Sequence, residues 1–100
     1  MKTRYTIKAT CLSKQGKILS QEFNSYTKTH PLQKYFAEKV GHIGKEYLHA
    51  EIAAILKAGT KKIHTIKIVG WSSSGNKIEA KPCPICMEAI KTFGIKEVIY

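Results

Sequence analysis

The chain has no aspartate and a single arginine, Arg4; its seven acids are all glutamates. With arginine nearly absent, bidentate reading of base edges in a nucleic-acid groove has no obvious agent. There is no run of 18 apolar residues, so no membrane-spanning helix is expected. The opening Met1-Lys2-Thr3-Arg4-Tyr5 is followed by no apolar stretch of the secretory kind, which makes the cytoplasm the expected compartment. Cysteine is scarce and odd in number: Cys11 alone, Cys83 and Cys86 in a C-x-x-C pair. Without an export signal, that count argues against a disulfide framework, and the pair calls for metal or redox chemistry. Repeats, low-complexity tracts and a domain linker are all lacking. At 100 residues the chain is one domain with a small core, which a metal or an oligomer interface would reinforce.

Lysine is what the chain has in quantity. Seventeen basic residues against seven acidic ones give a net charge of +10. The lysines are spread along the whole length, a general bias towards anions that suits a nucleotide or a polynucleotide; a plain solvated surface is the alternative reading. An apolar content of 43% is ordinary for a soluble globular domain.

The order of elements is legible. Tyr5, Ile7, Ala9 and Cys11 alternate with Thr6, Lys8 and Thr10, a half-buried strand over 5–12. Lys14-Gln15-Gly16 is a hairpin turn and Lys17–Phe23 the returning strand. After a polar loop, Pro31 opens a helix capped by Thr29 or His30, with Leu32, Tyr35, Phe36 and Val40 on one face and Gly41 at its end. A second helix is expected over 48–58, its stripe being Ile52, Ala53, Ile55 and Leu56. Ile63–Trp71 reads as a central strand and Lys77–Lys81 as a short extended stretch. Pro84 starts a third helix, and Lys96–Tyr100 is a final strand. The strands flanking that helix should be parallel. Trp71, Phe93 and Cys11 are expected in the core.

Two short motifs carry the chemistry. His49-Ala50-Glu51 begins the second helix, and Pro82-Cys83-Pro84-Ile85-Cys86 begins the third. One imidazole and two thiolates suit Zn²⁺ and leave a fourth position open, where water can be activated. Residues three apart in a first helical turn face the same way, and the free N–H groups and dipole there favour thiolates. Glu51, two residues beyond His49, is placed to move protons as general base and acid.

Together the motifs form the H-x-E…P-C-x-x-C signature of zinc deaminases, and the chain resembles the cytidine/deoxycytidylate deaminase superfamily over roughly residues 5–100. Phe93-Gly94-Ile95-Lys96 leading into Glu97-Val98-Ile99-Tyr100 is similar to the family's closing strand. The resemblance implies a three-layer α/β/α sandwich with a mixed sheet of about four strands, zinc on His49, Cys83 and Cys86, and Glu51 as the proton carrier. It implies hydrolytic deamination of a nucleobase, by preference cytosine in a nucleoside or nucleotide. Substrate contact is expected from Asn24 at the end of the second strand and from Ala50, with Tyr26 and His30 in the same loop region as further candidates. The family ordinarily has a helix before its first strand and chain after its last. Either the Pro31–Val40 helix or a neighbouring subunit is therefore expected to cover the sheet, and a homo-oligomer follows.

Three other readings stand beside this one. A deaminase of single-stranded DNA or RNA would show lysines interleaved with stacking aromatics. A zinc-stabilised binding module without activity would need a fourth protein ligand, with His42, His64 or Cys11 as candidates. A redox pair would place C-x-x-C after a first strand.

Overall fold

Alternation along Thr6–Leu12 produces strand β1, and the turn at Ser13–Lys17 returns the chain as β2, Ile18–Phe23. The computed structural model describes residues 5–41, 47–59 and 62–100. The turn is closed by Ser13 N–H to Lys17 O at 2.8 Å and Gly16 N–H to Ser13 O at 2.9 Å. Gly16 has φ +85°, which a residue without Cβ adopts freely. Helix α1 follows at Pro31–Lys39, then α2 at Ala50–Ala58. Strand β3 spans Thr65–Trp71, β4 Lys77–Ile78, helix α3 Pro84–Thr92 and β5 Glu97–Ile99.

These strands make one mixed sheet of five strands, one more than expected because the 77–81 stretch pairs. The path runs β2-β1-β3-β4, with β5 also on β3. Strand β1 is antiparallel to β2 and to β3. Strand β4 pairs antiparallel with the Gly70–Trp71 end of β3, and β5 pairs parallel with its Thr65–Lys67 end. The parallel β3–β5 pair joined through α3 is the expected arrangement.

Register sorts the side chains into two faces. Ala9 opposes Ile68, Cys11 opposes Ile66, and Ile66 opposes Val98. On this face sits a single core, to which all three helices contribute, including Phe36, Ile52, Ile55, Ile85 and Ile90. Burying an isoleucine such as Ile66 contributes roughly 1.5–3 kcal/mol. Helix α2 is rich in alanine and buried at seven of nine positions. Small side chains let it lie close to β1 and β2, where Ser20 Oγ donates to Ala54 O at 2.6 Å.

On the other face are Thr6, Lys8, Thr10, Lys67, Val69 and Trp71. The mixed sheet with its three helices is the expected cytidine deaminase-like α/β arrangement. Helix α1 does not cover this open face; it packs on α3, with Phe36 and Ala37 in the common core.

Several details depart from the expected pattern. Trp71 is half-buried on the open face, with Lys8 Nζ 5.8 Å from its ring, and Phe93 is exposed at the end of α3, touching Phe36 edge-on. Neither belongs to the core cluster, because Trp71 has odd parity on β3 and Phe93 lies past the last helical turn. The buried face of α1 is Gln33, Phe36 and Ala37, and Tyr35 is exposed. Leu56 of α2 also lies at the surface.

Candidate active site and metal centre

Helices α2 and α3 direct their N-termini at one another's first residues. His49 is the N-cap of α2 and Cys83 the N-cap of α3, and the His49 side chain makes no capping hydrogen bond to its own helix. The two side chains face each other. His49 Nδ1 lies 3.2 Å from Cys86 Sγ and 3.5 Å from Cys83 Sγ. The three ligand atoms fall within 4.8 Å of one another. Tetrahedral zinc at ordinary Zn–N and Zn–S lengths separates a nitrogen and a sulfur ligand by about 3.6 Å. The donor set and its spacing therefore fit zinc. Among the described residues no further His, Cys, Asp or Glu joins the group. Cys11 is buried in the core and His64 bonds Thr65 Oγ1 at 2.8 Å. His42 lies outside the described residues.

The cysteines differ in acidity. The neighbouring Cys86 thiol holds Cys83 well below the usual thiol range, down to about 4, with His49 and the Cys86 backbone N–H adding to the effect against the cost of burial. Cys86 is driven strongly upward, first by its hydrogen bond with Cys83 and then by burial and the Glu51 charge. Two adjacent thiols thus retain one proton between them until a cation compensates the second negative charge.

Glu51 stands in the first turn of α2, 6% exposed. Burial raises its carboxyl above the ordinary carboxylate value, against smaller lowering effects from a backbone hydrogen bond and His49. A carboxyl tuned upward is suited to both taking and returning a proton near neutrality.

A cavity of about 500 Å³ opens over these groups, within the ~300–1,000 Å³ common for small-molecule sites. His49, Ala50, Glu51 and Cys83 line it together with Ile7, Ile78 and Ala80, and Asn24, Glu79 and Lys81 supply polar groups. Gly70 makes this wall fit. A Cβ there would come 2.8 Å from Ile7 Cδ1 and 3.1 Å from both Ile78 Cγ1 and Ala80 Cβ.

The candidate substrate residues fall into two groups. Asn24 and Ala50 line the cavity. The Asn24 carboxamide also ties β1 to β2: Oδ1 accepts from Ile7 N–H at 2.9 Å and Nδ2 donates to Tyr5 O at 3.1 Å. Tyr26 and His30 are not among the lining residues. The Tyr26 hydroxyl accepts from Tyr5 N–H and donates to Tyr5 O, each at 2.9 Å. His30 Nδ1 accepts from Leu32 N–H at 3.0 Å and so caps α1; it borders a neighbouring hollow with Ser25, Lys28 and Leu48. Sequence reasoning missed Ile7, Glu79, Lys81 and Gln33. Glu79 and Lys81 were within reach: an extended 77–81 segment running directly into Pro82-Cys83 must pass beside the metal ligands. Gln33 gave no signal, being a polar residue on a helix of its own.

Fold and site together define a cytidine deaminase-like domain with a zinc centre. The model of the cytidine and deoxycytidylate deaminase zinc-binding region matches residues 2–100, and the chain belongs to that family. In fold it is similar to a crystal structure of a mutant cytidine deaminase from Mycobacterium tuberculosis, with a TM-score of 0.52 and 15% identity, over 97% of this chain and 68% of that one. Comparison with curated proteins finds no match.

Proposed function

We propose that the protein hydrolytically removes the exocyclic amine of a nucleobase, by preference cytosine in a nucleoside or nucleotide, releasing ammonia. The observation that carries this reading is the buried Glu51 carboxyl sharing a cavity with His49 and Cys83, two members of the donor set that Cys86 completes. Zinc, when bound, supplies a Lewis acid that activates water. Glu51 takes one proton of the attacking water and passes it to the ring nitrogen next to the reacting carbon; it then takes the second proton from the newly attached hydroxyl and delivers it to the amine, which leaves as ammonia while the C–N bond breaks and the carbonyl forms. Its raised pKa keeps the proton available for return. Ile7, Ile78 and Ala80 offer an apolar wall against which a base can lie, and Asn24 and Ala50 are the substrate contacts we assign. Tyr26 and His30 act from behind them, Tyr26 by holding the start of β1 and His30 by capping α1.

Single-stranded nucleic acid is the second substrate reading, favoured by the net charge of +10. Self-association is also proposed. Phe23 and Ile99 are 54% and 41% exposed on the open sheet face, where a second copy would cover them.

The deciding experiment is ammonia release by zinc-loaded protein. It is offered cytosine, adenine and guanine as free bases, nucleosides, nucleotides and single strands, with Glu51→Ala as control. Release from one substrate, lost in the variant, supports the reading and names the substrate. Zinc-loaded, folded protein that releases nothing from the whole panel overturns it.

A further inference from the structure

Gln33 is the most deeply buried amide of the described chain, at 0% exposure on α1. Its Oε1 accepts from the backbone N–H of His49 at 3.1 Å, sixteen residues away. Its Nε2 is buried with no partner among the described residues. The orientation of the carboxamide follows from chemistry: exchanging its oxygen and nitrogen would set two N–H donors against each other.

In a capping box the N-cap residue's own N–H is bonded by a Glu or Gln at the third helical position. Helix α2 cannot do this. Its third position is Ile52, a core residue, and its N-cap side chain is turned to the sulfurs. Glu51, the nearest carboxylate, faces the cavity. Gln33 supplies the missing half from another helix. The consequence bears on the metal. Nδ1 is the ring nitrogen nearest the backbone, so a small rotation of the His49 peptide displaces it almost fully, while metal–ligand distances tolerate about 0.2 Å.

We propose that Gln33 is a positioning residue for the metal centre: from α1 it fixes the His49 peptide and thereby holds Nδ1 against Cys83 and Cys86. This rests on the zinc reading given above. It also explains why a fully buried amide is present with one donor unpaired: an apolar residue of the same volume would remove that donor but leave the His49 N–H without its acceptor.

The test is Gln33→Met, which preserves volume, removes the unpartnered donor and removes the acceptor for His49. Zinc affinity is measured by competition with a chromophoric chelator, and the cobalt-substituted protein gives the ligand-field spectrum. We expect zinc binding about 10- to 100-fold weaker, the range for losing an outer partner of a ligand, with shifted cobalt bands. The zinc-free melting temperature should stay within about 4 °C, because one unsatisfied group replaces another. Gln33→Glu, which keeps the acceptor oxygen, should hold zinc within about threefold of the parent. Parental affinity and an unchanged cobalt spectrum in Gln33→Met would overturn the proposal. If Gln33→Met does not fold, Gln33→Glu decides: parental zinc binding supports the positioning role, and a loss beyond about 10-fold refutes it. Parent protein that takes up neither zinc nor cobalt would refute the underlying zinc reading itself, a result distinct from a difference between parent and variants.

Discussion

His49 Nδ1 and Cys86 Sγ, 37 residues apart in sequence, approach to 3.2 Å where two helix N-termini meet. The proton in that cluster has to leave when a metal enters. Cys83 is already a thiolate at neutral pH, and Cys86 is the group held protonated. Zinc uptake at pH 7 should therefore release about one proton from the pair, and affinity should fall about tenfold for each unit that pH is lowered. Calorimetry in two buffers of different ionisation heat counts the protons; zero release would show both thiols already ionised. Cys86→Ser should weaken zinc by at least about 100-fold.

Glu51→Gln separates catalysis from metal binding. The carboxamide fills the same space but carries no proton to and fro, so turnover should drop by about 10²–10⁴ while zinc is retained. Stability of the zinc-free protein should move the other way. Burial raises the Glu51 pKa above its ordinary 4.5. Its neutral form is favoured in the fold, so that stability is complete below the unfolded value and lost as pH rises through the folded one. The variant has no such loss. Its melting temperature should match the parent in acid and exceed it at pH 8. Melting curves that stay parallel across pH would show that Glu51 is not held in its neutral form.

Much of this was legible in sequence for a specific reason. Ile7, Ala9 and Cys11 alternate with polar neighbours, and Pro31 and Pro84 mark helix starts, so local chemistry decided β1, α1 and α3. The metal donors were legible because ligand types and spacing are constrained together. Side-chain partners that depend on tertiary contact were not. Nothing around Gln33 says that it will meet the His49 N–H, and nothing around Tyr26 says that its hydroxyl will be held by Tyr5. Trp71 looked like core by composition, but an odd position on β3 places it with Lys8 on the open face.

Asn24 links fold and cavity. Its two bonds to the β1 backbone are lost in Asn24→Ala, at about 1 kcal/mol each when part-exposed. Melting should fall by about 4–15 °C, and KM should rise more than kcat falls. Asn24→Asp keeps the Oδ1 acceptor for Ile7 N–H and sets the other oxygen against Tyr5 O, so it should recover part of the stability. A rise in KM without loss of stability in Asn24→Ala would show that the strand tie contributes little.

Gly70 tests whether the apolar wall is part of the binding site. Its conformation is ordinary for a strand, so only space is at issue. An added methyl meets Ile7 Cδ1 at 2.8 Å, and the ends of Ile78 and Ala80 leave little room to yield. Gly70→Ala should cost about 1–3 kcal/mol by overpacking. The atoms that must move belong to Ile7, Ile78 and Ala80, whereas the metal donors stand at the N-termini of α2 and α3. Zinc affinity should therefore stay at the parental level while KM rises about 10- to 200-fold, the equivalent of the ~1–3 kcal/mol that a methyl-sized mismatch costs a pocket. A parental KM in a folded, destabilised Gly70→Ala protein would mean that the substrate does not lie against Ile7 and Ile78, and would move the base towards the Glu79 and Lys81 side of the cavity.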